Sequence, residues 1–334
     1  MITLNKTEII KRTLNHETLP VVPYAIMLTG EGYNLYGEQL VEKYGSEKLK
    51  ADYKRGFFEL HEAVSLAIGN HLMYVYAPWW NWYNLPESFG EEDTPDVMPD
   101  VYGFGSYETF FEKVKYIKEN YDVYILVPIW GSHWEKAYFA RSIENFLYDM
   151  AASPEWAQEL LDMIIRKNLV MLENILPCKE IDGVLLGSDW GTQQDLIMSP
   201  EMFRRMIKEG ERQEYELLRK YGKDVFVHSC GNILRIMDDL VELGVQGLNP
   251  VQPECMDLKY LKEHYGKDIT FYGGISTQRT LPYGTPEEVA QETREVVSLM
   301  RQGGGYITAP AQEIQYDVPY ENLIALIDTA KEFA

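Results

Sequence analysis

Short β-rich apolar runs recur along this 334-residue chain, and helical periodicity follows each of them. The runs are Val21–Leu28, Leu72–Tyr76, Val123–Ile129, Gly183–Leu186, Val225–Val227, Val245–Leu248, Ile269–Tyr272 and Tyr306–Ala309. A strand that is apolar throughout is buried on both faces. Strands alternating with amphipathic helices are parallel, because a parallel pair needs a crossover connection. Eight such units predict an α/β chain folded as a (β/α)8 TIM barrel.

The spacing breaks early. Thr29–Asn70 and Pro78–Asp122 are long connections, so extra N-terminal helices and long loops over the C-terminal strand ends are expected. Gly90–Pro99, acidic and Pro-rich, reads as an exposed loop. Ser153-Pro154-Glu155, Ser199-Pro200-Glu201 and Thr285-Pro286-Glu287 each place a hydroxyl N-cap before a first-turn proline. Thr285 with Glu288 matches a capping box. Leu160, Ile164, Leu172 and Ile175 make an apolar stripe, whereas Met202, Met206, Leu217 and Leu218 do so less regularly. No Gly/Ser linker interrupts the pattern, so one domain over residues 1–334 is expected.

In such a barrel the active site lies at the C-terminal ends of the strands, and this chain concentrates polar residues, glycines and prolines there. The fifth run ends in His228-Ser229-Cys230-Gly231-Asn232. Residues two apart on a strand share a face, so imidazole and thiol project together as a pair of zinc ligands. The alternative is a hydrogen-bonded histidine beside an inert thiol. A catalytic zinc takes about three protein ligands, and the third would come from Glu313, Gln312, Glu254 or Cys255 at other strand ends. Cys178, at a helix end, reads as structural. Asp189, after the fourth run, is the best carboxylate to act as acid/base or to orient a ligand, or else it is an N-cap or a salt bridge supporting the next loop. Trp130, Trp190, Asn249, Gln252, Tyr272, Gly274, Ser276 and Gln312 complete the expected substrate-binding set. Gly273-Gly274 either lets backbone approach a ligand or only turns the chain.

Composition narrows the partners. A net charge of -21 argues against nucleic acid and anionic membrane. Three cysteines are too few and too irregular for a disulfide framework. The polar Met1–Lys11 segment is no signal peptide and no apolar run reaches membrane-spanning length, so a cytoplasmic protein is expected. The aromatic residues crowding Tyr74–Tyr83 and Trp130–Tyr138 would line a pocket or simply pack.

Several of these strand ends resemble the uroporphyrinogen decarboxylase superfamily, which includes cobalamin-dependent methyltransferases. The segments that carry the resemblance are Leu186-Gly187-Ser188-Asp189, His228 to Asn232, Leu248 to Pro253, Phe271 to Ser276, and Gly304-Gly305-Tyr306 through Asn322. The resemblance implies a barrel with its site at the strand ends. The decarboxylases hold a polycarboxylate with an Arg-rich N-terminal segment; Met27–Tyr33 has no arginine here. The methylcobamide:thiol methyltransferases carry His-x-Cys and a later Cys that bind zinc. His228 and Cys230 match the pair, and Ala311-Gln312-Glu313 stands where the later Cys would be. The resemblance therefore implies a methyltransferase working between a small methylated donor, such as a methoxylated aromatic or a methylamine, and a corrinoid protein. Zinc, on His228, Cys230 and Glu313, or an acid (Asp189, Glu313) would improve the leaving group, with His228 in the catalytic set. Trp130, Trp190 and Tyr272 would stack on the donor. No D-x-H-x-x-G motif is present, so cobalamin belongs to the partner. A carboxy-lyase acting on a small carboxylated substrate is the alternative, and a non-catalytic member a third. A monomer or homodimer is expected.

Overall fold

The structure is a computed structural model. It describes residues 4–80, 102–103 and 106–334. Trp82, Tyr83 and the expected Gly90–Pro99 loop lie outside those residues. The strands are β1 (Leu72–Tyr74), β2 (Pro78–Trp79), β3 (Tyr102–Gly103), β4 (Tyr124–Ile129), β5 (Gly183–Gly187), β6 (Asp224–His228), β7 (Gly247–Val251), β8 (Thr270–Ile275) and β9 (Tyr306–Pro310). Seven of them lie in one sheet in the order β1-β4-β5-β6-β7-β8-β9, while β2 and β3 form a short antiparallel pair. The β1–β4, β5–β6, β7–β8 and β8–β9 ladders are parallel. Helices separate the successive strands of the seven-stranded sheet, as the alternation of apolar runs predicted. Among the described residues no helix is long and apolar enough to cross a membrane.

The chain forms two compact units. One comprises Met1–Val75, Lys115–Leu126 and Gln246–Ala334, the other Tyr76–Val114 and Val127–Val245. In the first, the long Thr29–Asn70 connection carries the helices Gly30–Tyr44, Glu47–Lys54 and Leu60–Ile68. Thr285 and Glu288 form the expected capping box of helix Pro286–Met300.

The first expected strand departs from expectation. Val21–Leu28 makes only isolated parallel bridges, Tyr24 with Thr308 of β9 and Leu28 with Ile314. Its other side meets the chain just ahead of β1, where His71 N donates to Tyr24 O at 2.9 Å. The reason is Asn70. Its side-chain amide takes the place of a strand neighbour, accepting from Ile26 N at 2.9 Å and donating to Ile26 O at 3.0 Å and Ser65 Oγ at 3.0 Å. A side chain satisfies the peptide as well as a ladder would, but no regular ladder then forms. The segment thus links β9 to the start of β1.

Two outcomes test this arrangement. Asn70→Ala leaves the buried Ile26 N–H and C=O without partners and should cost about 2–4 kcal/mol in urea unfolding; a loss below about 1 kcal/mol would show that the amide is dispensable. His71 is buried beside Tyr24, whose N–H donates to Nδ1 at 3.3 Å. Burial, followed by the positive charge of Lys6, pushes its imidazole down to about 4. Between that value and the ordinary 6.5 the unfolded chain binds the extra proton, so this contribution is complete above pH 6.5 and is lost as pH falls toward 4. It amounts to at most about 3 kcal/mol. The stability of His71→Gln should therefore fall less than that of wild type between pH 7 and 4.5; parallel pH curves would refute the assignment.

In the second unit, the stripe Leu160, Ile164, Leu172 and Ile175 is buried along helix Pro154–Ile175. Ser153 makes no side-chain cap hydrogen bond there, contrary to the Ser-Pro-Glu expectation, whereas Ser199 does cap Met202. The irregular Met202–Leu218 pattern has a physical cause. Phe203–Ile207 is a π turn, between Pro200–Met202 and helix Lys208–Lys220. Its i→i+5 bonding adds a residue and shifts the apolar register.

Candidate metal centre

The β5–β6 register pairs Gly187 with His228. One residue further, Ser188 N donates to His228 O at 2.9 Å. The loops beyond stay zipped: Trp190 N donates to Ser229 Oγ at 3.0 Å and Asn232 N to Thr192 O at 2.7 Å. Glycine permits this approach. A Cβ on Gly191 would lie 2.6 Å from Cys230 O, and Gly231, at φ 82°, would put one 2.5 Å from Thr192 O.

These contacts deliver three donors to one place. The Asp189 carboxylate accepts from Cys230 N at 2.7 Å. His228 Nε2 lies 3.5 Å from Cys230 Sγ and 3.7 Å from Asp189 Oδ1. One ligand atom from each of the three lies within 4.8 Å of the others. Zinc bonds of roughly 2.0–2.3 Å place neighbouring ligands of a tetrahedron roughly 3.3–3.8 Å apart. Both His228 separations fall in that span, and the thiol, imidazole and carboxylate are a donor set that suits zinc with a fourth position open. Asp189, expected as an acid/base group, stands with the predicted His228–Cys230 pair.

Around the donors, Trp130 sets its ring edge-on to His228 with centroids 4.8 Å apart, and remains 36% exposed. Trp134 donates through Nε1 to Asp189 O at 3.0 Å. Of the aromatic residues at 130–138, Trp134 is core, packed on Tyr138 and Phe146. Trp190 is fully buried against Phe203. Burial, and then the Asp189 charge, push the Glu135 carboxyl up to about 7.

The other predicted residues belong to the first unit. Tyr272 is buried in β8, and burial pushes its phenol up. Burial likewise pushes the Glu313 carboxyl up to about 7, and Glu313 N donates to Gln312 Oε1 at 2.9 Å. Asn249 and Gln252 are buried at the end of β7, with Cys255 Sγ 3.7 Å from Gln252 Oε1. Ser276 is engaged by Glu254, by Glu292 and by Arg279 N. Gly273 needs its missing side chain for strand packing, since a Cβ there would lie 2.6 Å from Val251 N. A Cβ on Gly274 would face Val296 on helix Pro286–Met300 at 3.0 Å.

A buried polar network beside the metal donors escaped the sequence reading. Lys136, Asn168, Glu211 and Glu214 are all fully buried, and His133 nearly so. Asn168 donates through Nδ2 to Glu214 Oε1 at 2.8 Å and accepts at Oδ1 from Trp80 Nε1 at 2.8 Å. Glu211 meets His133 Nδ1 at 3.2 Å and accepts from Tyr215 OH at 2.7 Å. The available signal was Asn168 itself, four residues from both Ile164 and Leu172 on an apolar stripe. Gly210 supplies a check. A Cβ there would lie 2.4 Å from His133 Cε1 and 2.9 Å from Ile165 Cγ1. Gly→Ala on an exposed helix face stabilises by about 1 kcal/mol. Here Gly210→Ala should destabilise by about 1–3 kcal/mol and lower Tm; a raised Tm would show that His133 is free to move.

The family model described as Uroporphyrinogen decarboxylase (URO-D) matches residues 86–333. A methylated-thiol--coenzyme M methyltransferase of Methanosarcina mazei is 23% identical over 217 residues, 65% of this chain and 56% of that protein. The methylcobamide:CoM methyltransferase MtaA of Methanosarcina barkeri is 28% identical over 141 residues, 41% of this chain and 38% of that protein. The matches thus span only about half or less of those relatives. A solved methyltransferase from Methanosarcina mazei shares the fold, with a TM-score of 0.71, 19% identity and 99% of both chains covered.

Proposed function

The chain belongs to the uroporphyrinogen decarboxylase family, and from that premise we propose that it is a corrinoid-dependent methyltransferase, moving a methyl group between a small methylated donor and a corrinoid carried by a partner protein. The observation that carries the reading is the Asp189–His228–Cys230 donor set. The relatives named as thiol and methylcobamide methyltransferases support the same direction. The proposal takes residues 1–334 as one catalytic domain, a barrel closed through the 21–28 segment, and a monomer or homodimer in the cytoplasm.

Zinc held there would supply a Lewis acid to the heteroatom that gives up or receives the methyl group. His228 and Cys230 would hold it from β6 and its following loop, and Asp189 from the loop after β5. The hydrogen bond from Cys230 N orients the Asp189 carboxylate. Trp130, exposed beside His228, offers a face for a flat donor such as a methoxylated aromatic. Within the first unit, the Glu313 carboxyl, raised to about 7 by burial, keeps its proton near neutrality and is the acid of that unit.

Zinc analysis of protein purified without a metal-binding tag should find about one ion per chain, with at least a tenfold loss in Cys230→Ser. Zinc absent from wild type would remove the metal from the proposal. Reduced corrinoid protein should then be methylated from a methoxylated aromatic, a methylamine or a methylated thiol. Carbon dioxide released from a small carboxylated substrate without corrinoid would instead establish a lyase.

A further inference from the structure

The buried network meets the chain at three consecutive residues. Lys136 Nζ donates to Gly131 O. Asn168 Nδ2 donates to Ser132 O at 3.3 Å. Glu211 holds the His133 ring. Ser132 is pinned from its other side as well, with N and Oγ donating to Gly187 O at 2.8 and 2.9 Å. The turn so fixed starts at Trp130, the ring that lies edge-on to His228. Gly131 gives it no slack: its φ is 61°, and a Cβ there would lie 2.7 Å from Phe139 Cε2.

Such a network is costly. A lysine with no solvent exposure, lying over the Trp80 ring at 4.9 Å, contributes little that a methionine would not. Its specific product is the placement of the Gly131 and Ser132 carbonyls. The geometry points to Lys136, with Glu214 and Asn168, as a positioning device that acts through Gly131 to hold Trp130 against His228, fixing the orientation of the imidazole in the donor set. Lys136 touches none of the donors. Its action on metal affinity rests on the zinc reading; its action on the ring pair does not.

The test uses the full-length protein with histidine labelled at 13Cε1, at one pH and without metal. His228→Gln identifies the His228 resonance among six histidines, and Trp130→Ala gives its position without the indole ring current. In Lys136→Met/Glu214→Gln, which removes both charges together, the His228 resonance should move at least half-way to the Trp130→Ala position. A network that only adds stability would lower Tm and leave that resonance in place, and this would overturn the inference. Glu214→Gln alone is the milder, isosteric variant. It should move the resonance in the same direction by less, and an unmoved resonance counts equally against the inference. In the second arm, zinc affinity is measured by chelator competition. The double variant and Trp130→Ala should each weaken binding about tenfold, with no further loss when combined. Additive losses would show that Lys136 acts by another route and would refute the mechanism. Wild type without zinc would refute the metal reading alone, because the metal-free resonance still decides the positioning claim.

Discussion

The candidate site depends on the pairing of β5 with β6. Gly187 stands opposite His228, and the Ser188–His228 hydrogen bond carries the register one residue past the strands. Asp189 then arrives where its carboxylate meets Cys230 N. A slip of one residue would send His228 and Cys230 to the opposite face. The donor set is thus a product of backbone pairing first and of side-chain choice second. The glycines that let the two loops touch, Gly191 and Gly231, belong to the same constraint.

Beside this pairing lies a polar interior of unusual charge. Two carboxylates, a lysine and a histidine share one buried region with Asn168 at its centre. Burial raises the Glu214 carboxyl strongly and lowers Lys136 to about 7, each partly countered by the other's charge. Groups in that condition resist displacement, because moving one leaves the others unpaired. What hydrophobic packing would do loosely, this region does with direction.

Much of the architecture was legible in the sequence. Seven of the apolar runs became strands near their expected bounds, since a buried parallel strand leaves a continuous apolar mark. The eighth, Val21–Leu28, reads the same but is held by Asn70, a long-range side-chain contact with no local signature. His228 and Cys230 were visible because both lie within one strand end. Asp189 was visible as a lone acid, but its place with the pair depends on inter-strand register, which spacing along a chain does not encode. The Lys136 network was hidden because its members are scattered over three helices, and its charged ones, Lys136, Glu211 and Glu214, look like ordinary surface charges.

The π turn at Phe203–Ile207 ties these features to a count of residues. An α-helix advances about 100° per residue, so one residue accommodated in a wider turn rotates everything after it by about that angle. Glu211 and Glu214, which follow the turn, take their inward aim from this rotation, while Phe203, its first residue, packs its ring on Trp190. Shortening the turn by one residue would leave the composition of the helix nearly unchanged and swing its acids out of the interior. The wiring of the site is in this sense indexed by length as well as by identity.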